Sequence, residues 1–348
     1  MKNIVKKRFI IYFLTFCSIF VLAMSIFGFM AGWINPNDCA ICIFPSLLMP
    51  ASLVLAALFT LCLIFLKSRN YLIPLSAILI NFQFIIANIS FGRLLSNNST
   101  ICSTPVRIAT YNTHGFNYHP FLIPLRDIAD FMIENQVDIL CMQEYQVHSI
   151  YNKNEIDSIF GIFKEQIPKE NGIQANGLKI FSRFPVLSSG QIEILNSING
   201  AVWADILLAD NDTVRIINVH MQTSGLKHGI YLGLTETARR LIDNSKNRAS
   251  QALMIKQLID STRYPVILAG DFNDLPSSFT FKTLKRDLND CFVQGGIGRA
   301  GTFPSKLPFM RIDNIFSSKQ FKCNYYYSPN KDWSDHNPVI AELIILQK

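Results

Sequence analysis

Acidic residues are almost missing from the first third of this 348-residue chain, where Asp38 is the one carboxylate before residue 104. The same stretch carries seven basic residues (Lys2, Lys6, Lys7, Arg8, Lys67, Arg69 and Arg93) and so holds +6 of the formal +7 charge. Residues 104–348 are left nearly neutral, with 25 basic against 24 acidic groups. The basic surplus expected of a nucleic-acid binder is absent from that part, so bulk charge does not favour nucleic acid as a partner. A disulfide framework is lacking too. The eight cysteines are scattered, and Cys39 and Cys42 form a lone C-x-x-C with no second pair to complete a zinc site. There is no internal repeat and no low-complexity tract.

What the first third does contain is long apolar runs. Phe9–Gly32, Ile41–Leu66 and Tyr71–Phe91 are each about the ~20 residues needed to cross a hydrocarbon core, although the last includes Asn81, Gln83 and Asn88. They predict an all-α region of about three transmembrane helices, making residues 1–95 a multi-pass anchor to the lipid bilayer. Residues 96–103 follow as a linker and 104–348 as one folded domain. The basic residues ahead of the first run, and Lys67 with Arg69 between the second and third, belong in the cytoplasm. The loop Trp33–Ala40 has no Lys or Arg and belongs outside. Three spans then deliver the folded domain to the extracytoplasmic side.

From Val106 the texture changes to short β-rich runs interleaved with helical patterns. Val106–Tyr111, Asp138–Met142, Leu178–Phe181, Val202–Leu208, Val214–Val219, Pro265–Ala269, Ile312–Phe316 and Pro338–Ile344 read as strands. Leu122–Asn135 and Thr235–Asp260 read as helical, the second interrupted near Asn244–Asn247. This order predicts a layered α/β domain.

Polar groups follow the apolar strands directly: Asn112, Gln143-Glu144, His220, then Asp271 and Asn273. Arg311-Ile312-Asp313 opens another strand, and Ser334-Asp335-His336 precedes the last. Singly, each has a duller explanation. Asp-x-Asn after a strand is usually a turn or cap, and a strand-end Glu is usually a solvated charge. Jointly, six such ends can converge on one sheet edge as a polar pocket on rigid supports.

The stretches IATYNTHGFN, DILCMQEYQ, INVHMQT, ILAGDFND, RIDNIF and WSDHNPVIAEL resemble the endonuclease/exonuclease/phosphatase superfamily over about residues 104–346. The resemblance implies a four-layer α/β sandwich, two packed β-sheets flanked by helices, that hydrolyses phosphate esters with Mg²⁺ or Mn²⁺. It implies metal binding by Glu144, Asn112 and Asp335, an arrangement of hard oxygen donors suited to Mg²⁺. Asp271 would orient or deprotonate the attacking water, and Asn273 would stabilise the phosphorane. His336 would touch phosphate with Asp313 fixing its tautomer, and His220 would lie near the leaving oxygen. Asn112, Asn273 and His336 are expected to contact substrate. His114 and Arg311 are further polar candidates for that contact, although His114 could equally serve to stabilise the turn it sits in. The phosphoester itself stays open between a lipid headgroup, an inositol phosphate and extracytoplasmic DNA. A different class, a catalytically silent phosphoester-binding module at the membrane, is the alternative. The sequence is silent on oligomeric state.

Overall fold

The computed structural model describes residues 2–95, 104–116, 125–146, 153–168, 177–193, 199–225, 233–299, 301–304 and 310–346. The expected linker 96–103 lies outside them. The chain divides into two compact units. The first joins Met1–Ile86 with Ser224–Ala249 and Leu275–Lys282; the second comprises Ala87–Thr223, Ser250–Asp274 and Thr283–Lys348.

In the first unit, the apolar run predicts a helix and one forms, over Lys2–Ala31. It is the one helix among the described residues that is by itself long and apolar enough to cross a membrane. Its outward side chains are large and apolar, among them Phe16 (73% exposed) and Phe20 (66%), which water disfavours and lipid tolerates. The other two apolar runs form bent or shorter helices among the described residues. The second run is a pair of helical segments, Ala40–Leu47 and Met49–Phe65, bent by 45° where Pro50 enters the first turn of the latter. The third stops after nine residues, Leu72–Ile80, because Asn81 leaves the helical region (φ −102°, ψ 21°). The Asn81 amide is buried and donates to Ser25 Oγ at 2.6 Å, to Ser25 O at 3.3 Å and to Ala77 O at 3.1 Å. It is therefore a helix-packing residue, as its uncharged chemistry suggests.

The first unit also contains residues from the far part of the chain. Lys282 donates to Phe29 O at 3.0 Å, against the C-terminal end of the first helix, with its ammonium 4.6 and 4.8 Å from the rings of Phe29 and Trp33. Ser277 Oγ donates to Ser46 O at 2.9 Å, and Asn37 Nδ2 to Lys246 O at 3.4 Å. The helix Leu234–Ser261 runs without the interruption expected near Asn244–Asn247. The Asn244 side chain, which favours a break when it competes for its own backbone, donates instead to Ser224 O at 3.2 Å.

The second unit carries the strands: β1 (Ile89–Ser90), β2 (Val106–Asn112), β3 (Ile139–Gln143), β4 (Glu165–Ile167), β5 (Lys179–Ser182), β6 (Val186–Glu193), β7 (Gly200–Leu207), β8 (Thr213–His220), β9 (Val266–Asp271), β10 (Asn289–Asp290), β11 (Gly298–Arg299), β12 (Asp313–Ser317), β13 (Phe321–Tyr327) and β14 (Val339–Ile345). β1 pairs with β11, and the rest form two six-stranded mixed sheets. One has the order β13-β14-β2-β3-β5-β4 and the other β10-β12-β9-β8-β7-β6. Two-residue alternation explains their packing. Ile108, Ile139 and Cys141 join Ile216, Ile267, Ala269 and Ile315 in one core. Ala109, Tyr111, Leu140 and Met142 turn the other way, onto Ile128 and Met132 of the helix Leu125–Glu134. The fold is thus two mixed sheets flanked by helices, as expected.

In each sheet one pair is parallel, β2 with β3 and β8 with β9. Parallel neighbours end on the same edge, which places Asn112 beside Gln143 and His220 beside Asp271 in register. Asp313 faces Asp271 across the antiparallel β9–β12 pair.

Candidate active site

Close approach of β8 and β9 explains the glycine ahead of Asp271. Gly270 has φ 142°, and a Cβ there would meet Val219 O at 2.0 Å. Beyond the strand, the Asp271 carboxylate is held from three directions. Asn273 donates its N–H to Oδ1 at 2.8 Å and its amide to Oδ2 at 3.1 Å. Asn112 Nδ2, from the opposite sheet, also donates to Oδ2 at 3.1 Å.

Asn112 Nδ2 makes a second bond, to Glu144 Oε1 at 3.1 Å, and Asn112 Oδ1 accepts the His114 N–H at 3.0 Å. Both ends of the amide are therefore used. These contacts make Asn112 a bridge between the Asp271 and Glu144 carboxylates. Glu144 Oε1 lies 3.6 Å from His220 Nε2, which lies 3.9 Å from Asp271 Oδ2. On the other side His336 Nδ1 is 2.9 Å from Asp313 Oδ2, and its Nε2 is 3.7 Å from Asp271 and 3.9 Å from Asp335. The eight principal residues read from the sequence are thus gathered into one cluster, with His114 at its rim, 3.2 Å from Asp335.

Arg311 is the exception. It is fully buried and pairs with Asp290, at 2.9 Å from NH1 to Oδ1 and 2.6 Å from NH2 to Oδ2. The expected contact of Arg311 with substrate is therefore corrected: its charge is consumed in the core, where Asp290 also receives the Phe292 N–H.

Charge and burial set opposite states on the two histidines. Burial opposes a proton on His336, but the adjacent Asp313 and Asp271 carboxylates prevail and push it up to about 10. His220 is pushed down by burial, which outweighs the pull of Glu144. Asp271 is raised from 3.8 to about 7 by burial and by the negative charge of Asp313, against the stabilising His336 and Asn273.

Sequence reasoning missed the supports beneath these groups. Gln143 Nε2 reaches across the sheets to Asn218 Oδ1 at 2.6 Å, and Asn218 Nδ2 donates back to Met142 O and Lys179 O at 2.8 and 2.9 Å. Thr302 Oγ1 accepts the Ile312 and Asp313 N–H groups at 3.1 and 3.0 Å, and Ser334 Oγ donates to Asn112 O at 2.8 Å. Amides inside apolar strands, such as Asn218 two residues before His220, are the signal that was available. Backbone strain gathers here too: His114, Glu144 and Asn273 have φ of 50°, 51° and 51°. Such conformations cost non-glycine residues about 1–3 kcal/mol each and persist where surroundings enforce them, often at functional sites.

Known proteins share this architecture. The model of the Endonuclease/Exonuclease/phosphatase family matches residues 109–336, which contain the whole cluster. The Escherichia coli K12 protein YbhP is 25% identical over 261 residues, covering 68% of this chain and 95% of its own length. The crystal structure of an endonuclease/exonuclease/phosphatase from Bacteroides vulgatus is similar over 70% of this chain and 99% of that one, with TM-score 0.53 and 21% identity. The D. rerio TDP2 structure, complexed with a single-strand DNA product, is similar over 69% and 99%, with TM-score 0.52 and 15% identity. The chain belongs to the Endonuclease/Exonuclease/phosphatase family.

Proposed function

We propose that this protein is a membrane-tethered phosphoester hydrolase working with a divalent cation, Mg²⁺ or Mn²⁺. The observation that carries the reading is the convergence on Asp271 of two amides and two histidines, next to the part-exposed Glu144. The donor chemistry fits a hard cation, because Glu144 (side chain 32% exposed) and the nearby Asp335 offer carboxylate oxygens. Glu144 and Asp335 would hold the ion, which when bound would polarise a phosphoryl oxygen and ease departure of the leaving group.

The protein's own groups do the rest. Asp271 takes the proton of the attacking water, and its raised pKa of about 7 makes it a stronger base than an ordinary carboxylate. Asn112 and Asn273 hold that carboxylate in one orientation, and Asn273 is placed to donate to a developing phosphorane oxygen. His336, protonated at neutral pH, supplies the positive charge for phosphate, with Asp313 fixing its ring. His220, held neutral by burial, is a hydrogen-bond donor beside it. The favoured substrate is a phosphate ester presented by a membrane.

Purified full-length protein should release product from bis-p-nitrophenyl phosphate with Mg²⁺ or Mn²⁺ and stop with EDTA. A panel of sphingomyelin vesicles, inositol phosphates, plasmid DNA and abasic DNA then identifies the natural class. Binding without turnover across the panel would establish the silent binding module instead.

The same reading places the catalytic fold outside the cytoplasm, with residues 1–95 as anchor and 104–348 as catalytic domain. Support comes from which end of the first helix is gripped. The basic residues at its N-terminal end favour the cytoplasm, while Lys282, Ser277 and Lys246 contact residues at and after its C-terminal end. That reasoning is independent of how many spans follow. A phosphatase reporter active only outside the cytoplasm, fused after Lys348, should be active; activity from a reporter that works only in the cytoplasm would refute it.

A further inference from the structure

His114 belongs to a backbone arranged to present it. Three consecutive residues, His114, Gly115 and Phe116, have φ of 50°, 63° and 57°. The turn is held by His114 N–H on Asn112 Oδ1, by Thr113 Oγ1 donating to Glu144 O at 3.0 Å, and by the Phe116 ring edge-on to Tyr145 at 5.5 Å. Glu144, at the end of the neighbouring parallel strand β3, is itself left-handed. The two turns face each other, and His114 Nδ1 comes to lie 3.2 Å from Asp335 Oδ1 and 3.9 Å from Glu144 Oε2. These are the two carboxylates assigned above to the cation. The imidazole is also 43% exposed, so it is open to an ion arriving from solvent.

Resting on the metal-dependent reading, we infer that His114 is a nitrogen ligand of the same ion, making the site a mixed nitrogen–oxygen one with Glu144 and Asp335. Mg²⁺ and Mn²⁺ both favour oxygen donors, but Mn²⁺, a first-row transition ion, accepts an imidazole nitrogen among them more readily than Mg²⁺ does. This chain is accordingly tuned toward Mn²⁺ over Mg²⁺. A turn whose one task is to fold the chain has no need to aim an imidazole between two carboxylates.

The test reads the ion directly. Mn²⁺ is titrated into the detergent-solubilised full chain and followed by electron paramagnetic resonance, with pulsed measurement of nitrogen coupling and Mg²⁺ as competitor. Wild type is expected to show imidazole ¹⁴N coupling to bound Mn²⁺. His114→Asn, which suits the turn, should abolish that coupling and weaken Mn²⁺ by at least about tenfold while changing Mg²⁺ less than about threefold. His114→Asp should move the preference toward Mg²⁺. His220→Gln should leave the coupling in place, although His220 Nε2 is 3.6 Å from Glu144. Coupling that survives in His114→Asn overturns the inference, as does Mn²⁺ bound by wild type with no nitrogen coupling; the metal-dependent reading survives both. Should wild type bind neither ion, both readings fall. Thermal melts of each variant establish that it is folded.

Discussion

Asp271→Asn is expected to lower turnover by about 10²–10⁴-fold while raising thermal stability. The two effects have one origin. An unfolded Asp271 ionises near 3.8, whereas burial and the Asp313 charge hold the folded carboxyl near 7. Its charged form is thus disfavoured in the fold at any pH above 3.8, and the penalty is complete above about 7. Asparagine removes the charge and can still accept the Asn273 N–H. The shift alone corresponds to about 4 kcal/mol at pH 8. Losing the Asn112 and Asn273 amide bonds to Oδ2 takes back about half. That leaves a gain on the order of 2 kcal/mol, a few degrees in melting temperature, that shrinks toward pH 4. The same carboxyl sets the acid side of the rate profile. Wild-type turnover should climb as pH rises to about 7 and decline near 10, where His336 loses its proton. His336 adds stability in full below 6.5, and that contribution is lost as pH rises through about 10. An Asp271→Asn variant with near wild-type turnover would remove Asp271 from the chemistry.

Arg311→Ala should do the reverse, unfolding the protein at lower temperature. The guanidinium and the Asp290 carboxylate are at 0% and 1% side-chain exposure, so removing one partner strands a buried charge. Breaking such a pair costs about 3–5 kcal/mol, roughly 10 °C for a domain of this size. The double variant Arg311→Met with Asp290→Asn, which strands no charge, should recover most of that loss. An Arg311→Ala protein that melts like wild type but needs far more substrate would restore Arg311 to the pocket.

Arg311 also illustrates what a sequence withholds. Its neighbour Asp313 enters the cluster, and nothing local indicates that Arg311 points the other way, onto a carboxylate in a separate segment. Asn112 is similar: its presence in the site was legible, whereas the orientation of its amide depends on Asp271, which arrives from the other sheet. The strand ends themselves were readable because apolar runs stop at a polar residue, and each such residue was found at its strand's edge. β6 was missed because its Ser188-Ser189-Gly190 centre lacks the apolar alternation that marks a half-buried strand. In the first unit, apolar composition showed where helices form but not where Pro50 and Asn81 bend or end them.

The order β13-β14-β2 inserts β14 between the edge strand and β2 in the first sheet, with Val339 opposite Thr110 and Leu343 opposite Val106. Until residues near 345 emerge from the ribosome, β2 lacks one neighbour and His336 lacks its place beside Asp313. Contacts so distant along the chain form late, after local helices and hairpins. A nascent chain therefore lacks the complete cluster until its synthesis is nearly finished.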